Sequence, residues 1–158
     1  MTKIEFFVAG IPKAQPRPQV VPIMRDGRVV MKGGRPILRA YTPNTADGWK
    51  QCIRMYARPH VPQTPIEGAI RLHLGFLMPR PKSHYGTGKR ADVLRDSAPL
   101  YHTSKPDFDN LEKAVVDTLT ELAFWVDDGQ ICRCRTSKLY PAPGVDCGVH
   151  IRIESEIQ

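Results

Sequence analysis

Four carboxylates and one lysine in the second half of the chain have a spacing that suits chemistry on a phosphate. Asp107 and Asp109 are two residues apart, so in an extended segment their side chains share a face. Lys113 follows Asp109 by four residues, one turn further on a helix, and a second acidic pair, Asp127 and Asp128, comes later. Carboxylates gathered at one point repel one another unless they hold a cation, and their oxygen atoms suit Mg²⁺ or Mn²⁺. If the two pairs converge, they predict a divalent-metal site.

An amphipathic helix connects the two acidic pairs. Asp109 or Asn110 is the expected N-cap, and the helix should end near Ala123. Its apolar stripe is made of Leu111, Ala114, Val115, Thr118, Leu119 and Leu122. A purely structural interpretation is also open, because aspartate caps helices and Asp127-Asp128-Gly129 is an ordinary turn.

The same stretch resembles the signature of the RusA-type Holliday-junction resolvases of bacteria and their phages. That signature has an Asp-x-Asp-Asn-Leu segment, a lysine, an alanine and an aspartate on the following helix, and a later Asp-Asp-x-Gln. The chain contains all of it: Asp107, Asp109, Asn110, Leu111, Lys113, Ala114, Asp117, Leu119, Asp127, Asp128 and Gln130. Looser similarity to phage-type members covers GIPKAQPRPQ near the start, YTP at 41–43 and MPRPKS at 78–83.

The resemblance implies a Mg²⁺-dependent endonuclease, with Mn²⁺ as a substitute, that resolves four-way DNA junctions by paired symmetric nicks in recombination and repair. It also implies a homodimer. Carried over residue by residue, Asp107, Asp109 and Asp128 match the family's metal-binding acids and Lys113 matches its catalytic helix lysine. Asp127 matches a neighbouring acid that can also contact metal.

Composition is that of an ordinary globular protein. The chain has 158 residues, of which 41% are hydrophobic and 25% charged, so we expect one domain over 1–158. The sequence contains no apolar run of about 18 residues, and its first residues lack the order of a secretory signal. These features predict a cytoplasmic protein without a membrane partner; the resemblance adds a bacterial cell and a phage or prophage origin.

Charge is unevenly distributed along the chain. Residues 1–106 hold 18 Lys and Arg against 6 Asp and Glu, a net +12, whereas residues 107–158 hold 5 against 10, a net −5. A basic part that holds a phosphate backbone, joined to an acidic part that holds a metal, suits a nuclease. A solvated surface explains the charge equally well.

Two basic segments are the candidate DNA contacts. Residues 20–31 predict a hairpin around Asp26-Gly27, ended by Gly33-Gly34. Residues 79–105 show neither the hydrophobic period of a helix nor that of a strand. Such a long loop predicts a mobile, DNA-contacting flap just before the acidic motif. Either segment can instead be a solvated excursion. The candidate DNA-binding residues are Lys13, Arg17, Arg25, Arg28, Lys82, Lys89, Arg90, Arg95 and Lys105.

The order of predicted elements is strand, hairpin, helix, strand, helix, strand, strand. It predicts an α/β (α+β) domain with one mixed sheet and two helices. The strands are expected at 3–9, 69–78, 131–140 and 145–153, with the last two paired as a terminal hairpin. The first helix should run from Asn44 or Thr45 to about Arg58, with four side chains inward: Trp49, Cys52, Ile53 and Tyr56.

Four cysteines leave a zinc site as an alternative. Cys132 and Cys134 alternate on a predicted strand, and Cys147 precedes His150 by three residues. Because Cys-x-Cys is not a usual half-site for zinc, we favour small buried thiols. Two other functions remain open: a non-catalytic basic phage DNA-binding protein, and a metal nuclease that acts on other branched DNA.

Overall fold

The computed structural model describes residues 2–155, and within them strands and helices follow one another largely as the sequence predicts. The elements in chain order are β1 (Lys3–Ala9), β2 (Gln19–Pro22), β3 (Met24–Arg25), β4 (Arg28–Val29), β5 (Met31–Lys32), β6 (Arg35–Pro36), β7 (Leu38–Tyr41), α1 (Asp47–Ala57), β8 (Ile70–Leu77), α2 (Phe108–Glu121), β9 (Ile131–Leu139) and β10 (Gly148–Ser155). No helix in this part of the chain is long and apolar enough to cross a lipid bilayer.

Four long strands form the main sheet, in the order β1-β10-β8-β9. β10 is antiparallel to both of its neighbours, whereas β9 runs parallel to β8. The parallel pair needs a crossover connection, and α2 lies on that connection. The predicted single domain with one mixed sheet and two helices is therefore confirmed.

The predicted terminal hairpin is wrong. β9 and β10 are consecutive in the chain, but β8 lies between them and pairs with both. The segment that connects β9 to β10 must therefore pass the end of β8 rather than form a tight turn. Proximity in sequence favoured the hairpin, whereas the inserted position of β8 depends on a pairing between distant segments.

Both helices cover one face of the sheet. In β8 the side chains of Ile70, Leu72, Leu74 and Phe76 are buried, and their alternation gives that strand a single apolar face. The buried stripe of α2 packs into the same core, together with Trp49, Ile53 and Ala57 of α1. One first-helix prediction needs correction, because Tyr56 is 38% exposed, whereas Cys52 is partly buried and packs against the core as expected.

Residues 19–41 form an exposed arm instead of one short hairpin. β2 pairs with β7 at its base, while β3–β4 and β5–β6 form two hairpins further out. Both central residues of each hairpin turn have positive φ, at Asp26-Gly27 and at Gly33-Gly34, as two-residue turns of type I′ require. Gly33-Gly34 therefore makes a second turn, and the arm continues to Tyr41.

Residues 79–105 are irregular, as predicted, but they carry their own hydrogen bonds. Two single turns occur at Lys82–His84 and Gly88–Arg90. Arg80 holds the two ends of the segment together, since its guanidinium donates to the carbonyl of Pro99 and to that of Pro141, just beyond β9, at 2.9 Å each. The segment thus has a defined path toward α2, and its mobility stays a prediction.

We expect Gly148→Ala to destabilise the fold strongly. A Cβ atom at Gly148 would lie 2.1 Å from the carbonyl oxygen of Val8 and 2.6 Å from the ring of Phe7. Backbone displacement between β1 and β10 should lower the free energy of unfolding by on the order of 3 kcal/mol. Gly48→Ala is the matched control, because it has open space in α1 and should raise stability by up to about 1 kcal/mol. Urea unfolding measures both, and equal stabilities would contradict the close approach.

Candidate active site

The first turn of α2 positions the first acidic pair. The N-cap is Asp107, with extended backbone angles, rather than the predicted Asp109 or Asn110. The Asp107 carboxylate makes no capping hydrogen bond, so its oxygens are not committed to the helix end. Its side chain and that of Asp109 are both exposed. The positive end of the helix dipole favours negative charge at this place.

The N-terminal connector, residues 10–18 between β1 and β2, crosses the start of α2. The backbone N–H of Gln15 donates to the carbonyl of Asn110 at 2.8 Å. Two residues later, Arg17 places a guanidinium nitrogen 3.6 Å from a carboxylate oxygen of Asp109. The connector, which the sequence marks only as basic and rich in proline, thus brings a cation to the acidic pair.

An open cavity of about 670 Å³ holds both acids of the first pair. Its cationic lining residues are Arg17, Lys105 and Lys138, of which the first two were predicted from the sequence and Lys138 was missed. The ammonium of Lys138 donates to the carbonyls of Ser104 and Pro106, at 2.8 and 2.7 Å. Lys138 belongs to β9, and only the pairing of β9 with β8 brings it here.

Lys113 lies on an adjoining cavity of about 310 Å³, which it lines together with Asp109 and Arg17. Its ammonium is 3.1 Å from a carboxylate oxygen of Asp117, four residues further on. The side chain is 58% exposed, so this pair contributes little to stability, on the order of 0.5 kcal/mol or less. Lys113 is therefore available to a ligand.

The second acidic pair lies elsewhere. Asp127 caps a short turn, because its carboxylate accepts from the backbone of Gly129 at 2.8 Å and Gln130 completes a capping box. Asp128 lines a different cavity, of about 360 Å³, together with Asp117 and Glu121 near the end of α2. The cavity that holds Asp107 and Asp109 is not lined by Asp128.

The carboxylates are the donors available to the metal that the resemblance implies. Carboxylate oxygens are the right chemical type for Mg²⁺ or Mn²⁺. Between residues 2 and 155, however, no three side chains of the His, Cys, Asp or Glu type come together as a metal-binding group. The expected convergence of the two acidic pairs is therefore not found within one chain, and the residues do not form a complete one-chain metal centre.

The other candidate DNA contacts are all exposed. Arg25 and Arg28 form the outermost pair of the first arm hairpin. Arg95 donates to the carbonyl of Tyr85 at 2.7 Å and so closes the lobe of residues 84–95. The remaining four lie on the connector or on the short turns: Lys13, Lys82, Lys89 and Arg90.

The cysteines do not behave as predicted. Cys132 and Cys134 are exposed on the edge strand β9, not buried, although both are free thiols. Partial desolvation raises the pKa of Cys134 to about 11, so its thiolate is disfavoured at neutral pH. The absence of a three-ligand group among the described residues also leaves the zinc alternative without a site.

Comparison with known proteins gives the family. A family model described as endodeoxyribonuclease RusA matches residues 10–154, nearly the whole chain. The chain therefore belongs to the RusA endodeoxyribonuclease family, a family of Holliday-junction resolvases. A Bacillus subtilis (strain 168) protein, named uncharacterized protein YqaN, is 33% identical over 140 residues and matches 89% of each chain.

His102 is a buried titratable residue close to Lys138, and its burial should make the stability of the fold depend on pH. Burial first, and the charge of Lys138 second, lower the pKa of His102 from its ordinary value of 6.5. As the pH falls below about 6.5, the unfolded chain takes up a proton that the folded chain resists, so this residue lowers stability toward acid. Above that pH it has no such effect.

We expect His102→Asn to reduce the loss of stability between about pH 7.5 and about pH 5.5, compared with the wild type. Urea unfolding at the two pH values gives the difference for each protein. His60→Asn, which alters an exposed histidine whose ring stacks on Phe6, serves as the comparison for loss of an imidazole elsewhere in the chain. If the His102 variant keeps the pH dependence of the wild type, the His102 ring has the same pKa in the folded and the unfolded chain.

Proposed function

We propose that this chain is a divalent-metal-dependent endonuclease that resolves four-way DNA junctions by paired nicks during recombination and repair. The observation that carries the proposal is the cavity at the start of α2, where Asp107 and Asp109 lie among the cations Arg17, Lys105 and Lys138. Cations can hold a DNA phosphate against carboxylates that would otherwise repel it. The proposed cofactor is Mg²⁺, with Mn²⁺ as a substitute.

The chain's own residues have distinct proposed roles. Asp107, Asp109 and Asp128 are the metal ligands, and Asp127, already engaged in its turn, supports Asp128. Lys113 compensates the negative charge that grows on the phosphate during cleavage. The exposed cations of the arm and of residues 79–105 hold the DNA backbone. We place the protein in the bacterial cytoplasm, encoded by a phage or prophage.

A homodimer accounts for the separation of the acids. Asp109 and Asp117 are equally far from Lys113 along α2, four residues on either side. A two-fold axis near Lys113 would place the two α2 helices antiparallel, with Asp109 of one copy opposite Asp117 of the other. The neighbouring Asp128 would then approach the first acidic pair of the other copy. Two such centres match the two strands that a resolvase cuts.

The acids are tested by Asp107→Asn, Asp109→Asn and Asp128→Asn. Each variant should lose cleavage of a synthetic four-way junction by on the order of 100-fold or more, since metal ligands act on the chemical step. Junction affinity should stay equal or rise, because negative charge near phosphate is removed. Glu67→Gln, an exposed carboxylate in neither acid-lined cavity, is the control. An Asn variant with near-normal cleavage would remove that residue from the ligand set.

Mixed dimers test whether the centres are shared. One copy carries Asp107→Asn with Asp109→Asn and the other carries Asp128→Asn, with different tags so that heterodimers can be purified. If each centre combines both copies, one of the two centres in a heterodimer is intact, and we expect single nicks rather than resolved junctions. If each centre lies within one copy, both are defective and the heterodimer is inactive like either parent.

One observation favours a non-catalytic DNA-binding protein instead: the described part of a single chain has no three-ligand group. The wild-type protein separates the two functions. Cleavage of a four-way junction that depends on Mg²⁺ supports the nuclease, whereas junction binding without cleavage in Mg²⁺ or Mn²⁺ supports the binding protein. Equal cleavage of flapped and four-way DNA would indicate a nuclease for other branched DNA.

A further inference from the structure

Among residues 2–155, both helices lie on one face of the main sheet, and no helix covers the other, open face. The register aligns its side chains in rows that cross all four strands. One row is Glu5, Arg152, His73 and Arg135, and the next is Phe7, His150, Gly75 and Ser137. These positions alternate with the buried ones along each strand, and most of their side chains are polar.

Gly75 leaves a notch in the middle of this open face. With no side chain at that position, a cavity of about 310 Å³ opens between His150 and Ser137. Its lining also includes Arg135, Arg152, His73 and one carboxylate, that of Glu5, which is paired with Lys3. Within residues 2–155 the Nε2 atom of His73 is buried without a hydrogen-bond partner. The polar groups that line the notch are thus two guanidinium groups, two imidazoles, one hydroxyl and one carboxylate.

Among the described residues, the open face carries more cations than carboxylates. Its two carboxylates already have partners: Glu154 accepts from Arg152 and lies 3.6 Å from Arg71, and Glu5 lies 3.1 Å from Lys3. A third row contains Lys3, Glu154, Arg71 and Arg133. With this row the open face has five cations, Lys3, Arg71, Arg133, Arg135 and Arg152, of which Arg71 and Arg133 also have other interactions. Within residues 2–155, Arg135 has no carboxylate partner.

We infer that the Gly75 notch binds a phosphodiester group of a DNA arm, on the face of the sheet opposite the candidate active site. A guanidinium presents a planar fork of donors that matches phosphate oxygens, and hydroxyl and imidazole groups add donors beside it. The notch is open and continues into a cationic face, which suits a polyanion that passes across it. The inference rests on the proposed DNA substrate.

The position of β9 connects the notch to the candidate active site. On one face of this edge strand, Thr136 donates to Glu112 of α2 at 2.6 Å and Lys138 reaches the cavity of the first acidic pair. On the other face, Arg135 and Ser137 line the notch. DNA arms that diverge from a junction can pass on both sides of β9, whereas a straight duplex meets only one side. The notch would therefore favour branched DNA.

An uncharged side chain at position 75 would fill the notch without changing the charge of the protein. A Cβ atom at Gly75 would lie 3.6 Å from the Cβ atom of His150 and 3.9 Å from the hydroxyl of Ser137, which are ordinary contacts. Gly75→Val should therefore fold, since a β-branched residue suits a strand. Arg135→Gln is the second variant and removes an exposed cation without touching the core. Arg58→Gln, at the end of α1, is its charge-matched control.

We expect both notch variants to bind a four-way junction on the order of tenfold more weakly, as loss of a hydrogen bond to a charged group implies. Arg135→Gln should also lower the salt slope of binding by about 1. Linear duplex binding and single-turnover cleavage at saturating protein should stay within about twofold, because the notch is remote from the acids. Thermal melting confirms that each variant is folded.

The alternatives give different results. Junction affinities within about twofold of the wild type for both variants would overturn the notch while leaving the proposed function intact. If Arg135→Gln and Arg58→Gln lose junction affinity equally and Gly75→Val keeps it, the effect is one of overall charge, and the inference about the notch is also overturned. A wild-type protein that binds no DNA would remove the proposed function and this inference together.

Discussion

The packing of α2 against the sheet is the constraint on which the candidate active site depends. Leu111, Val115 and Leu119 are fully buried, and burial of each such side chain contributes about 1.5–3 kcal/mol. This stripe fixes both the rotation of the helix and the place where it begins. Asp107 and Asp109 are consequently directed to solvent beside β9, where the cation of Lys138 is available. Loss of the buried stripe would therefore displace the carboxylates of Asp107 and Asp109.

Electrostatics then gives the two ends of α2 different properties. At its start, the acids share their surroundings with Arg17, Lys105 and Lys138. Near its end, Asp128 shares a cavity with Asp117 and Glu121, and none of the residues that line this cavity is a cation. On the proposed function, a polyanion would be held at the first place. At the second place Asp117 and Glu121 are already paired with Lys113 and Arg54, which leaves Asp128 as the carboxylate that a second copy could bring to the first acidic pair.

The edge strand β9 has a role beyond closing the sheet. One of its faces contacts α2 through Thr136 and lines the cavity of Asp107 and Asp109 through Lys138. Its other face contributes Arg135 and Ser137 to the open face of the sheet. Exposed sheet edges invite unwanted pairing, and charged side chains such as those of Arg133 and Arg135 discourage it. The same charges make the edge a plausible path for DNA, so solubility and substrate binding place similar demands on this strand.

Local patterns in the sequence were enough to predict the elements. The alternation in 69–78, the helical stripe of α2 and the Asp26-Gly27 turn depend on neighbouring residues, and all three occur where expected. The Asp-x-Asp-Asn-Leu motif and its partners were also sufficient for the family, which comparison with known proteins confirmed. These features are local because backbone geometry repeats over two to four residues.

Contacts between distant segments were decided only by the tertiary structure. The insertion of β8 between β9 and β10, the approach of Lys138 to the acids, and the separation of Asp128 from Asp107 all depend on strand order. A strand with one apolar face can pair with several partners at similar local cost, so its own residues do not select the neighbour. The sequence by itself therefore determined which groups could do chemistry, and the packing of the sheet determined which of them meet.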